Sequence, residues 1–170
     1  MVDFEVVSLP ETDHVEAGEP APDFTRPLVS DEFWEDASLS DLTAEGPVCL
    51  VFHTMDGGFP ATYTWNELRE RAWDEAYDVQ VVGLSISSPY EHQTLIRDRG
   101  IDYRLFSDPG NEVAEAYGIV NDLDGMAGIS EPRPAVYLVD GDGVVRYAWV
   151  AEEWPDFPDY DDVESAIEAL

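Results

Sequence analysis

The residues best suited to chemistry fall in one stretch, His53-Thr54-Met55-Asp56-Gly57-Gly58-Phe59-Pro60-Ala61-Thr62-Tyr63-Thr64, with Cys49 just before it and Arg133 far downstream. Cys49 is the one cysteine of the chain, so no internal disulfide can form and any thiol nucleophile has to be this residue. It lies within the apolar run Val48-Cys49-Leu50-Val51-Phe52. Burial there raises a thiol pKa and closes off access, so Cys49 reads as a small buried hydrophobe. Thr62 and Thr64 carry hydroxyls too weakly acidic to attack a substrate unaided. Arg133, beside Pro134, reads equally as an anchor for an anion or carboxylate and as partial neutralisation of an acidic surface. The three histidines are His14, His53 and His92. Metal ligation needs clustered donors; His53, near Asp56, is a weak candidate, and neither a metal nor a cofactor is expected. The acidic stretch 121–126 lacks the spacing and final glutamate of a calcium loop and reads as a turn.

Positioning these residues falls to an alternation of strand and helix signals, which argues for an α/β sheet. The run 48–52 has the length and continuity of a central strand, and it ends in the Gly- and Pro-rich loop 55–61. Thr64-Trp65-Asn66-Glu67 has capping-box spacing, which predicts a helix opening at Thr64 with Trp65, Leu68 and Ala72 on one face. A second buried strand is predicted over 79–86. Ser88-Pro89-Tyr90-Glu91, a further capping box with proline at the first helical position, opens a helix to about residue 99, stopped by Gly100. A short strand at 103–106 precedes a helix capped by Asp108-Pro109 and closed at Gly118. Strands at 135–139 and 144–149 are joined across Asp140-Gly141-Asp142-Gly143, and a helix over 161–169 ends the pattern. The acidic run 159–162 suits the N-terminus of that last helix.

Charge narrows the function classes. With 38 Asp plus Glu against 8 Lys plus Arg, the net charge is −30, and all eight cations are arginines. Nucleic-acid phosphate and anionic membrane faces would repel such a chain, so both are excluded as partners. A hydrophobic content of 44% with 12% aromatics is enough for a core, which argues against disorder. The length of 170 residues suits a single domain over 1–170, with 1–15 a flexible or extended N-terminal segment. Self-repulsion opposes compaction in dilute buffer, but at about 1 M salt the screening length falls to about 3 Å. In this respect the composition resembles that of halophilic archaeal proteins. Residues 1–17 have no basic start or long apolar stretch, and no apolar run reaches the roughly 18 residues of a membrane span, so a cytoplasmic location is expected.

Several segments, taken in order, resemble the peroxiredoxin family, the alkyl hydroperoxide reductase and thiol-specific antioxidant branch of the thioredoxin fold. They are Gly18-Glu19-Pro20-Ala21-Pro22-Asp23-Phe24, Leu39-Ser40-Asp41-Leu42, Val81-Val82-Gly83-Leu84-Ser85 with Ser88-Pro89, and Leu105-Phe106-Ser107-Asp108 with 113–118. Arg133-Pro134-Ala135-Val136-Tyr137-Leu138-Val139-Asp140 completes the series. The resemblance implies a thioredoxin-like α/β fold, a central mixed sheet flanked by helices, with a peroxiredoxin-type N-terminal extension. It also implies a homodimer and thiol-dependent peroxide reduction. The family places proline, threonine and then the peroxide-attacking cysteine in the first helical turn after the central strand. Here, counting from the strand puts Ala61 in the cysteine's place, and counting back from Glu67-Leu68 puts Thr64 there. Neither is a thiol. The family's arginine falls near Arg133, but one register away, because Pro134 occupies the place of the cis-proline that thioredoxin-like proteins turn toward their active site. The expectation is therefore a non-peroxidatic homologue whose degenerate site, around Thr54, Ala61, Thr62, Thr64 and Arg133, binds a small molecule or a protein. The alternative is an active enzyme, using Cys49 as nucleophile or a non-thiol reaction at His53, Thr62 and Arg133.

Overall fold

The computed structural model describes residues 6–121 and 127–170, so the acidic turn read at 121–126 lies almost wholly outside the described residues. Strands β1 (Val7–Ser8), β2 (Thr25–Val29) and β3 (Trp34–Ser38) come first, followed by α1 (Leu39–Thr43) and β4 (Val48–Phe52). Next are α2 (Phe59–Arg71), α3 (Trp73–Ala76), β5 (Gln80–Ser85), α4 (Pro89–Arg99), β6 (Arg104–Ser107) and α5 (Glu112–Tyr117). The chain closes with β7 (Val120–Asn121), β8 (Glu131–Pro132), β9 (Ala135–Val139), β10 (Val145–Val150), β11 (Glu153–Trp154) and α6 (Tyr160–Glu168).

Seven strands form the central mixed sheet in the order β10-β9-β4-β5-β6-β2-β3. Strands β4, β5 and β6 run parallel, while β9, β10, β2 and β3 add antiparallel pairings on either side. Every residue of β4 and β9 is buried, as strands covered on both faces require. Their alternation divides the core in two. Leu50, Phe52 and Tyr137 pack on one face with Tyr117 of α5, and Cys49, Val51 and Leu138 pack on the other with Trp65 of α2 and Ile167 of α6. A thioredoxin-like α/β fold is thus the architecture. No described helix is long and apolar enough to cross a membrane.

Local signals held where a cap was chemically complete. Ser88 and Glu91 exchange both bonds of a capping box at the start of α4, and Gly100 ends that helix in the left-handed conformation at φ 60°. The capping box read at Thr64 is overturned, because α2 already begins at Phe59 behind Gly58, with Pro60 in its first turn. Thr64 is a buried mid-helix residue. Proline's fixed φ suits the first turn of a helix, and that outweighed the Thr-x-x-Glu spacing. The helix expected from Asp108-Pro109 starts instead at Glu112, with Asn111 left-handed at φ 57° and the Asp108 carboxylate reaching forward to accept from Val113 N–H at 2.9 Å. The edge hairpin β2–β3 carries Pro27 and the exposed Trp34-Glu35-Asp36, which gave no alternating pattern to read.

Candidate functional site

The parallel strands β4 and β5 both end at the loops that carry the site residues, at one end of the sheet centre. His53 directly follows β4; its ring is buried, donates Nδ1–H to the Thr54 carbonyl at 2.9 Å and meets Trp65 edge-on. With Nδ1 protonated, Nε2 is left as a bare acceptor, and it is buried without a partner among the described residues. Thr54 Oγ1 is likewise buried and unpartnered. Burial, only partly offset by Asp56, holds the His53 ring well below its ordinary 6.5, at about 4.

Asp56 joins the two loops. Its backbone N–H donates to Ser87 Oγ at 2.8 Å, and its carboxylate Oδ2 lies 2.6 Å from His92 Nδ1. His92, fully buried at the start of α4, places Nε2 2.9 Å from the Phe106 carbonyl. A carbonyl only accepts, so Nε2 carries a hydrogen, and a further proton lies between Nδ1 and the carboxylate. The His53 and His92 rings stand 5.9 Å apart. In the sequence His53 is near Asp56, whereas His92 belongs to a separate helix. The available signal was topological, since Asp56 and His92 each follow the C-terminal end of neighbouring parallel strands. Met55 N–H donates to Glu131 Oε1 at 2.7 Å, a second contact the sequence did not reveal.

The other candidates occupy different surroundings. Ala61 is buried in the first turn of α2, and Thr64 in the second. Thr62 lines a cavity of about 320 Å³ together with Asp56, Gly57, Leu95 and Arg99. Cys49 is fully buried in β4, and desolvation pushes its thiol up to about 12. Arg133 lines another cavity, with residues 9–12, His14 and 150–152, and bonds the carbonyls of Pro10 and Ala151. His53, Thr62 and Arg133 are therefore not brought to one pocket. Arg133 lies between β8 and β9, where its side chain meets the N-terminal segment and not the loop after β4. The cis peptide among the described residues joins Trp154 to Pro155, and Pro134 is trans. Among the described residues no three His, Cys, Asp or Glu side chains are grouped as a metal would need.

The AhpC/TSA family model matches residues 17–148, most of the chain. This chain belongs to the AhpC/TSA family. A relative of this AhpC/TSA protein, the chloroplastic 2-cysteine peroxiredoxin of Chattonella marina var. antiqua, is 28% identical over 145 residues, which is 80% of this chain and 71% of that protein. Among solved structures it is similar to peroxidoxin BcpB from Mycobacterium tuberculosis, with a TM-score of 0.77 at 24% identity over 92% of this chain and 99% of the other. AhpC of Enterococcus faecalis has a TM-score of 0.76 at 18% identity, over 90% of both chains. Those two structures bear on the fold alone. Within the AhpC/TSA scaffold, the Asp56–His92 hydrogen bond lies at the edge of the Thr62 cavity, which Asp56 lines.

Protonating His53 has to cost stability. The folded ring, at about 4, binds its proton less readily than the unfolded ring at 6.5, so the unfolded state takes up more protons between those values and stability falls as pH drops through that window. At about 1.4 kcal/mol per pKa unit the full effect is about 3 kcal/mol. Denaturant unfolding of wild type and His53→Leu, in molar salt from neutral pH to about pH 4, isolates this ring from the titrating carboxylates. The wild-type stability relative to the variant should fall by about 3 kcal/mol across that range. A difference independent of pH would show that the ring is not held neutral.

Proposed function

We propose that this AhpC/TSA-family protein does not reduce peroxides through a thiolate and that its scaffold has been kept for binding, with the Asp56–Thr62 cavity as the site for a small molecule or a protein segment. One observation carries this reading. The only cysteine, Cys49, is wholly buried in the central strand with its thiol pushed up to about 12, while Ala61 stands in the first turn of α2. Peroxide reduction needs an exposed thiolate near neutral pH, and both conditions fail at Cys49. The helix start favours negative charge as it does in any helix, but there is no thiol on it to activate.

The test is peroxide consumption with a thiol reductant in molar potassium chloride, comparing wild type with Cys49→Ser and with Cys49→Ala, which keeps the position apolar. No turnover above the reductant blank is expected in any of the three. Turnover in wild type that both substitutions abolish would overturn the proposal. Cys49 should also resist a thiol-specific disulfide reagent until denaturant is added.

A further inference from the structure

Among the described residues Arg133 is the one buried arginine, about 5% exposed. Its Nη2 donates to the Pro10 carbonyl at 2.6 Å, Nη1 makes a long 3.4 Å contact with the Ala151 carbonyl, and Nε is buried without a partner. Arg26, Arg71 and Arg146 all have carboxylates against them. No carboxylate of the described residues lies within ion-pairing distance of Arg133. For a buried charge this is costly, because the desolvated guanidinium has no counter-charge to offset its lost hydration. Burial accordingly pulls the guanidinium below its ordinary pKa, although this group stays charged.

Arg133 lines a cavity of about 460 Å³ between the N-terminal segment and the end of β10, and Pro10 and Ala151, whose carbonyls it bonds, line it too. None of its lining residues belongs to the 53–64 stretch. Leu9, Val150 and Ala151 give it an apolar wall. His14 commits Nδ1–H to the Val15 carbonyl at 2.9 Å, which leaves Nε2 as an acceptor. Glu11 and Glu152, both exposed, line the same cavity. Arg133 therefore calls for an anion, whereas the other polar groups call for a donor or a cation. A simple anion satisfies the first and is repelled by the second. A molecule carrying both charges satisfies each, and it is not repelled by the −30 of the whole chain.

We propose that this cavity binds a small amino-acid-like zwitterion, its carboxylate on Arg133 and its ammonium toward Glu11 and Glu152. The site is separate from the Asp56–Thr62 cavity and stands whether or not any thiol chemistry survives.

Amide chemical shifts of the full isotope-labelled chain, at constant potassium chloride, provide the test, with glycine, acetate and methylammonium as probes. Glycine should give saturable shifts at Thr12, His14 and Ala151, with a midpoint below that of acetate, and methylammonium should give none. Arg133→Met keeps the length and apolar packing of the side chain and should weaken glycine about tenfold or more, the value of one charge-assisted contact. The double substitution Glu11→Gln and Glu152→Gln, on the exposed rim, should weaken glycine, strengthen acetate and so reverse their order. This variant keeps the test decisive if Arg133→Met fails to fold. Absence of saturable shifts with glycine, tighter binding of acetate than of glycine by the wild type, or a glycine midpoint indifferent to both variants would each overturn the proposal.

Discussion

The melting midpoint should rise by about 10 °C or more when potassium chloride is raised from dilute to molar concentration, with most of the gain lost again in dilute buffer. A domain of this size gains about 2–4 °C per kcal/mol, so the expected shift corresponds to several kcal/mol of relieved repulsion. The source is the ratio of 38 carboxylates to 8 arginines. The ion pairs are too few to offset it: Arg71 gathers Glu67, Asp161 and Glu164, Arg26 takes Asp108, and Arg146 takes Asp140. Arg69 and Arg97 donate to backbone carbonyls of Arg99 and Asp31 instead. At about 0.1 M salt the screening length is about 10 Å, so neighbouring surface carboxylates still feel one another; at about 1 M it is about 3 Å and they do not. Repeating the melt in molar sucrose, which favours burial without screening charge, separates repulsion from a general stabilising effect of cosolvent. A midpoint unchanged between dilute and molar salt would show that repulsion among the carboxylates does not limit stability.

Gly83→Ala should destabilise the protein by about 3 kcal/mol or more, the upper end of the cost of overpacking a core. Gly83 is in the middle of β5, paired with Val51 on one side and Leu105 on the other. A Cβ at this position would stand 2.4 Å from Trp65 Cζ2, 2.9 Å from Trp65 Cη2 and 2.6 Å from Leu105 Cδ2. None of these atoms can retreat easily. The Trp65 ring is fully buried and held between His53, 5.4 Å away at 88°, and Tyr103 at 5.8 Å, and Leu105 is fully buried as well. Chemical denaturation at molar salt measures the loss, and Trp65→Phe added to Gly83→Ala should return part of it by removing the ring that blocks the new methyl. The two changes are in contact, so their effects should not add. If the double variant is no more stable than Gly83→Ala alone, the obstacle is not the Trp65 ring.

Gly83 also shows where a sequence stops being legible. The run Val81-Val82-Gly83-Leu84-Ser85 announces a buried strand, and β5 follows it closely, yet nothing local says that the glycine makes room for a tryptophan eighteen positions earlier. Contacts of that kind depend on which helix lies over which strand. The same limit explains Thr64. Its spacing to Glu67 satisfies a local rule, but Pro60 and the end of β4 fix where α2 begins, and Thr64 ends up in the interior.

By itself the sequence determined the charge, the buried strand that holds Cys49 and the α/β alternation, all of which follow from composition or from patterns a few residues long; the family scaffold came from resemblance of its ordered segments. Tertiary structure alone decided the site. It set Asp56 against His92 across two strand ends, left His53 Nε2 without a partner among the described residues, and placed Arg133 at a cavity apart from that of Thr62, with no ion pair to a described carboxylate. The physical reason is that hydrogen bonds and charge compensation act over a few ångströms in space, and those neighbours are separated by tens of residues along the chain.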